Sequence, residues 1–107
     1  MADLTIQEQC GVSATISNGV LSITLIELGL DTTTPSSSQV LGALMLKRYQ
    51  LQENNTTAQD DVTVGCVVEA PFLGFARNDS QINARYTVNL YKIAPATSIS
   101  DPDDIVS

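Results

Sequence analysis

The sequence predicts a mainly β domain: an antiparallel β-sandwich or partly open barrel with extended terminal arms, and room for one short helix near 37–47. Three observations lead there. An Asn18-Gly19 pair sits between two alternating runs, the segments 62–70 and 81–93 alternate with a period of two, and polar turn clusters separate the runs. At 107 residues the chain has the size of one domain, long enough to bury a core and too short for two.

The hairpin is the most specific of the three. A type I′ turn needs positive φ at both central residues, which Asn-Gly supplies at low cost. With that pair as the loop, Ser17 faces Val20, Ile16 faces Leu21, Thr15 faces Ser22, Ala14 faces Ile23, Ser13 faces Thr24 and Val12 faces Leu25. One face then carries Val12, Ala14, Ile16, Leu21, Ile23 and Leu25. The other carries Ser13, Thr15, Ser17, Ser22 and Thr24, with Val20 the exception. One greasy and one polar face is the pattern of a sheet that covers a core on one side.

Three regions follow: an N-terminal arm or edge strand over 1–11, a single β domain over 12–93 and a C-terminal acidic arm over 94–107. The first holds one short alternation, Leu4 and Ile6, too little for a strand by itself. Residues 31–38 form a polar loop. The stretch 39–52 reads two ways. As a helix it starts at one of the serines 36–38 and puts Val40, Leu41, Leu44, Met45 and Arg48 on one face. As a strand it is apolar on both faces at first and then alternates through Tyr49-Gln50-Leu51. Gly42 weakens the helix, so the strand is the expectation. Residues 53–61 are a surface loop, 62–70 a β-branched strand ended by Pro71, and 77–80 a turn before the strand 81–93. The segment 94–107, with Pro95, Pro102, Asp101, Asp103 and Asp104, cannot build a core.

Charge narrows the partners. Five Lys and Arg against twelve Asp and Glu give a net −7, and the cations Lys47, Arg48, Arg77, Arg85 and Lys92 are scattered, so nucleic acid is not expected. The N-terminus lacks a basic, apolar leader pattern and no run approaches membrane-spanning length, so no membrane partner is expected and the chain reads as made and kept inside a cell. Cys10 and Cys66 are too few and too far apart for a metal site. Two reduced buried thiols are the expectation, with a disulfide as the alternative. Asn54, Asn55 and Asn78 match the glycosylation pattern and read as loop residues.

The catalytic motifs are missing from the sequence. There is no histidine, which removes triad chemistry and the commonest zinc ligand together. No phosphate loop, GxSxG or HExxH is present. Glu27 and Glu69 as a catalytic acid pair, Asp101, Asp103 and Asp104 as Ca²⁺ ligands, and Tyr86, Tyr91, Phe72 and Phe75 as a sugar platform each have a plainer reading: solvated strand residues, an acidic tail and core aromatics. No enzyme, cofactor or metal is expected.

The opening Met1-Ala-Asp-Leu-Thr-Ile6, the closing strand Ala84-Arg-Tyr-Thr-Val-Asn-Leu-Tyr91 and the tail Asp101-Pro-Asp-Asp-Ile105 resemble, in overall style, the small head decoration (cement) proteins of tailed bacteriophages. The resemblance implies a virion structural protein, made in the host cytoplasm and placed on the capsid surface. It implies binding to the major capsid protein or another virion protein, and a homo-oligomer, with a trimer favoured. The contact candidates are Leu4, Ile6, Arg77, Ile99, Asp101, Asp103, Asp104 and Ile105. A terminal arm ordered on a partner loses about 1–2 kcal/mol per residue of backbone entropy. It therefore needs a large, repeated surface, which a lattice supplies. The alternative is a phage tail, fibre or carbohydrate-binding recognition module.

Overall fold

The computed structural model describes residues 3–53, 63–78, 80–93 and 101–106. Among them, six strands form small antiparallel sheets beside one long helix, a coarse match to the mainly β expectation. In order they are helix α1 (Ile6–Cys10), β1 (Thr15–Ser17), β2 (Val20–Ser22), a 3₁₀ turn (Leu25–Leu28), helix α2 (Ser37–Glu53), β3 (Cys66–Val68), β4 (Phe72–Ala76), β5 (Gln81–Arg85), β6 (Val88–Leu90) and a second 3₁₀ turn (Pro102–Asp104). The ladders are β1–β2, β3–β6 and β4–β5, each two-stranded.

The first hairpin has the register its sequence dictates: Thr15 opposite Ser22, Ile16 opposite Leu21 and Ser17 opposite Val20. Asn18 at φ 52° and Gly19 at φ 76° make the left-handed pair of the I′ turn. The ladder stops there, however. Residues 12–14 and 23–25 stay outside it, and Ile16, Val20 and Leu21 remain exposed while only Ala14 is buried. The alternation specified pairing but not burial: at the turn end of that face Ile16 and Leu21 stay exposed, while Ala14, Ile23 and Leu25 at the far end are buried or partly buried.

Two expectations are corrected by local hydrogen bonding. The segment holding Leu4 and Ile6 is not an edge strand: Thr5 caps α1, its hydroxyl accepting from the Glu8 N–H (3.1 Å) while Glu8 Oε1 accepts from the Thr5 N–H (2.9 Å). The same device starts α2, so 39–52 is a helix rather than a strand. The Gln39 N–H donates to Ser36 Oγ (3.2 Å) and the Ser36 N–H donates to Gln39 Oε1 (2.8 Å). Gly42 costs this helix about 1 kcal/mol, which seventeen residues of ladder and tertiary packing outweigh. The strand expected over 81–93 is also divided. Its first half pairs with β4 and its second with β3, with Tyr86 and Thr87 between them.

The core is small and lies where α1, α2 and β3 meet. Its buried apolar residues are Cys10, Ala14, Leu28, Val64, Val67 and Val68. Both cysteines are free thiols, Cys10 buried and Cys66 half-buried, and burial pushes both above the usual thiol range.

Helix α2 seals the side of β3 that β6 leaves open. Gln52, 2 % exposed, meets Val68, 1 % exposed, as a strand neighbour would. Its Nε2 donates to the Val68 carbonyl (2.6 Å), and its Oε1 accepts from the Val68 N–H (2.8 Å). One turn earlier, Arg48 Nε (3.1 Å) and Nη2 (2.8 Å) donate to the Cys66 carbonyl. Nη2 also donates to Asp3 Oδ1 (2.8 Å), and Asp3 Oδ2 accepts from the Gly65 N–H (3.1 Å). Two helix side chains and one from the N-terminal segment thereby satisfy an edge whose backbone groups would otherwise be buried unpaired.

Candidate functional site

The described termini fasten to this body. Asp3 is held by Arg48 and Gly65. At the other end the Val106 N–H donates to the Tyr91 carbonyl (2.9 Å), and Gly65 lies so close that any Cβ there would run into the Val106 carbonyl oxygen. Ile105 packs at the same glycine. Burial raises the Asp3 carboxyl, but the Arg48 guanidinium and the N–H groups of Gly65 and Leu4 outweigh it and hold the group below its usual value.

The contact candidates therefore occupy different surroundings. Leu4 and Ile6 are partly buried at the start of α1. Ile105 is partly buried against Gly65. Asp101 caps its own turn, its Oδ1 accepting from the Asp103 N–H (3.0 Å), and Asp104 pairs with Lys92 (3.0 Å) on the surface. Arg77 is exposed at the end of β4, 55° into positive φ. Ile99 lies outside the described residues. Among the described candidates, Leu4 follows Asp3 and Ile105 precedes Val106, and both ends meet at Gly65, whereas Arg77 follows β4.

A different surface stands out. Strands β4 and β5 pair Phe72 with Arg85, Leu73 with Ala84, Gly74 with Asn83, Phe75 with Ile82 and Ala76 with Gln81. Directly opposed residues share a face. One face therefore holds Leu73, Phe75, Ile82 and Ala84, all apolar, and the other holds Phe72, Gly74 and Ala76 against Gln81, Asn83 and Arg85. The apolar face has no cover: Leu73, Phe75 and Ile82 are 75–76 % exposed. An isolated two-stranded hairpin is marginal in water, and an uncovered apolar sheet face marks a docking surface. The signal was present in the sequence, in the odd–even match of 72–76 with 81–85 across the turn at 77–80.

A concave feature lies between the first 3₁₀ turn and α2. It is an open groove of ≈ 580 Å³ lined in part by Ile26, Leu28, Leu30, Leu46 and Lys47. Glu27 borders it, packed against Gly11, where a Cβ would come within 2.6 Å of the glutamate Cβ. Its former companion as a catalytic acid, Glu69, instead accepts a hydrogen bond from Asn89 Nδ2 (2.8 Å) on the surface. Among the described residues no cluster of His, Cys, Asp and Glu is arranged to hold a metal, and no helix is long and apolar enough to cross a membrane.

No protein-family model, curated protein or solved structure matches this chain.

Proposed function

We propose that the chain is a non-enzymatic structural protein of a virus particle, a head decoration or cement protein that binds the lattice of the major capsid protein and stabilises the head. The observation that carries this reading is the uncovered apolar face of β4–β5. Burying Leu73, Phe75 and Ile82 from their present exposure is worth roughly 3–7 kcal/mol per copy before the costs of association. Repetition over a lattice multiplies such a modest contact. The acidic surface, with twelve Asp and Glu against five Lys and Arg, suits attachment to a basic partner surface and disfavours adsorption to nucleic acid.

The mechanism differs from the one the sequence suggested. Residues 3–10 and 105–106 are committed to the chain's own body, so bridging passes from the ends to the hairpin. On this reading the two-stranded sheets are completed into larger β layers, a sandwich or barrel, only by neighbouring molecules in the assembly. A sugar-binding role draws less support, because Phe72 and Phe75 project from opposite faces of the hairpin and form no common platform.

The test is mass spectrometry of density-banded particles from cells producing the chain. Peptides of the chain should band with intact particles, and Phe75→Lys should move them to the soluble fraction. Recovery of the unaltered chain solely in the soluble fraction overturns the reading.

A further inference from the structure

The free edge of β4 is self-complementary, and we infer that two copies of this chain join there, β4 against β4 across a two-fold axis at Gly74, to make a continuous four-stranded sheet. The occupant of the β4 edge is then a second copy, and the joined apolar faces stay open to a further partner.

Four features of the hairpin point to that occupant. Among the described residues, β4 pairs with β5 alone, so its outer edge offers a row of unpaired backbone groups. The strand reads Phe72-Leu73-Gly74-Phe75-Ala76, with no charge and no proline, the devices that normally protect an edge. Centred on Gly74, an antiparallel partner places Leu73 opposite Phe75 and Phe75 opposite Leu73. The apolar faces of both hairpins then merge into one. A slip of one residue would set Leu73 beside Gly74 and turn apolar side chains against the polar face, so the register is specified. Finally, the segment 71–85 carries Arg77, Asp79 and Arg85, a net +1 in a chain of net −7. Charge repulsion between copies is therefore weakest here.

Because the contact is isologous, it closes at two copies or at even numbers of them. The resemblance to decoration proteins favours three.

Sedimentation of the full chain, followed by Gly74→Cys under oxidised glutathione, tests this. A Cβ at Gly74 meets nothing within 4 Å, so the variant should fold as the parent does. Opposed Cα atoms about 4.5–5.5 Å apart lie within disulfide range. We expect a species of twice the chain mass. The Gly74→Cys chain should cross-link into covalent dimers, while the parent, with Cys10 buried and Cys66 half-buried, should not. Leu73→Lys and Phe75→Lys, both at exposed positions, should weaken dimerisation at least 100-fold with an unchanged circular-dichroism spectrum. A monomer at 100 µM or a trimer overturns the inference. So does a dimer that survives both lysine variants, or one that leaves Gly74→Cys uncross-linked. The outcome is independent of particle attachment, since a dimer can exist off any particle and a monomer can decorate one.

Discussion

Gln52 gives the sharpest test of how this fold is held. In Gln52→Leu the side chain keeps much of its volume but loses both of its bonds to Val68. The Val68 N–H and carbonyl are then left unpaired in a site where the residue is 1 % exposed. Each stranded backbone group costs about 1–3 kcal/mol. Leucine returns about 1 kcal/mol through its added apolar burial, so from about 2–6 kcal/mol for the two groups the net loss should be about 1–5 kcal/mol, near 3 at mid-range. Total stabilities are about 5–15 kcal/mol, so this is a large fraction. At about 4–8 °C per kcal/mol for a domain near this size, the mid-range loss should lower Tm by about 12–24 °C. Thermal unfolding by circular dichroism measures the loss, and hydrogen exchange places it, since the Val68 amide should lose protection before the α2 amides do. If Tm moves by under 2 °C, or Val68 keeps its protection, the helix is not acting as the missing neighbour of β3.

Two further outcomes follow from the Asp3–Arg48–Gly65 cluster. The folded-state pKa of Asp3 lies below its unfolded value near 3.8, so its contribution is fully present above that pH and is lost as pH falls through the folded pKa. Acid titration of stability should therefore show a step below pH ~4 in the parent that Asp3→Asn abolishes. Gly65→Ala should expel residues 105–106, because the added methyl occupies the space of the Val106 carbonyl. Limited proteolysis should then trim the C-terminal segment at least tenfold faster, and unchanged trimming would show the contact to be dispensable.

The parts of the fold that depend on short-range chemistry were legible in the sequence. The Asn18-Gly19 register is one, and the turn between β4 and β5 is another. Two capping boxes are also written out in the chain, Thr5 three residues before Glu8 and Ser36, one of the serines that open the helical alternative, three before Gln39. Helix α2 reads as a strand in the sequence because Gly42 interrupts it and its apolar residues spread around the helix. Leu41 and Leu46 lie exposed, and buried Arg48 and Gln52 take places that apolar residues normally hold. Their roles were not readable at all. Each reaches a carbonyl 16 to 18 positions away, and no local pattern marks a polar side chain that stands in for a strand. The burial of the hairpin faces was unreadable for a related reason. Alternation tells which residues share a face, while cover for that face depends on what the rest of the chain, or another chain, brings to it.

Asp3, Gly65 and Val106 come together at one point although the first and last are about a hundred positions apart in the chain. Closing so long a loop costs entropy that nearby contacts cannot repay in advance, so this junction forms after the helices and turns have settled. Until then the Gly65 N–H lacks the Asp3 carboxylate that accepts from it. The longest loop of the fold therefore closes at a single glycine.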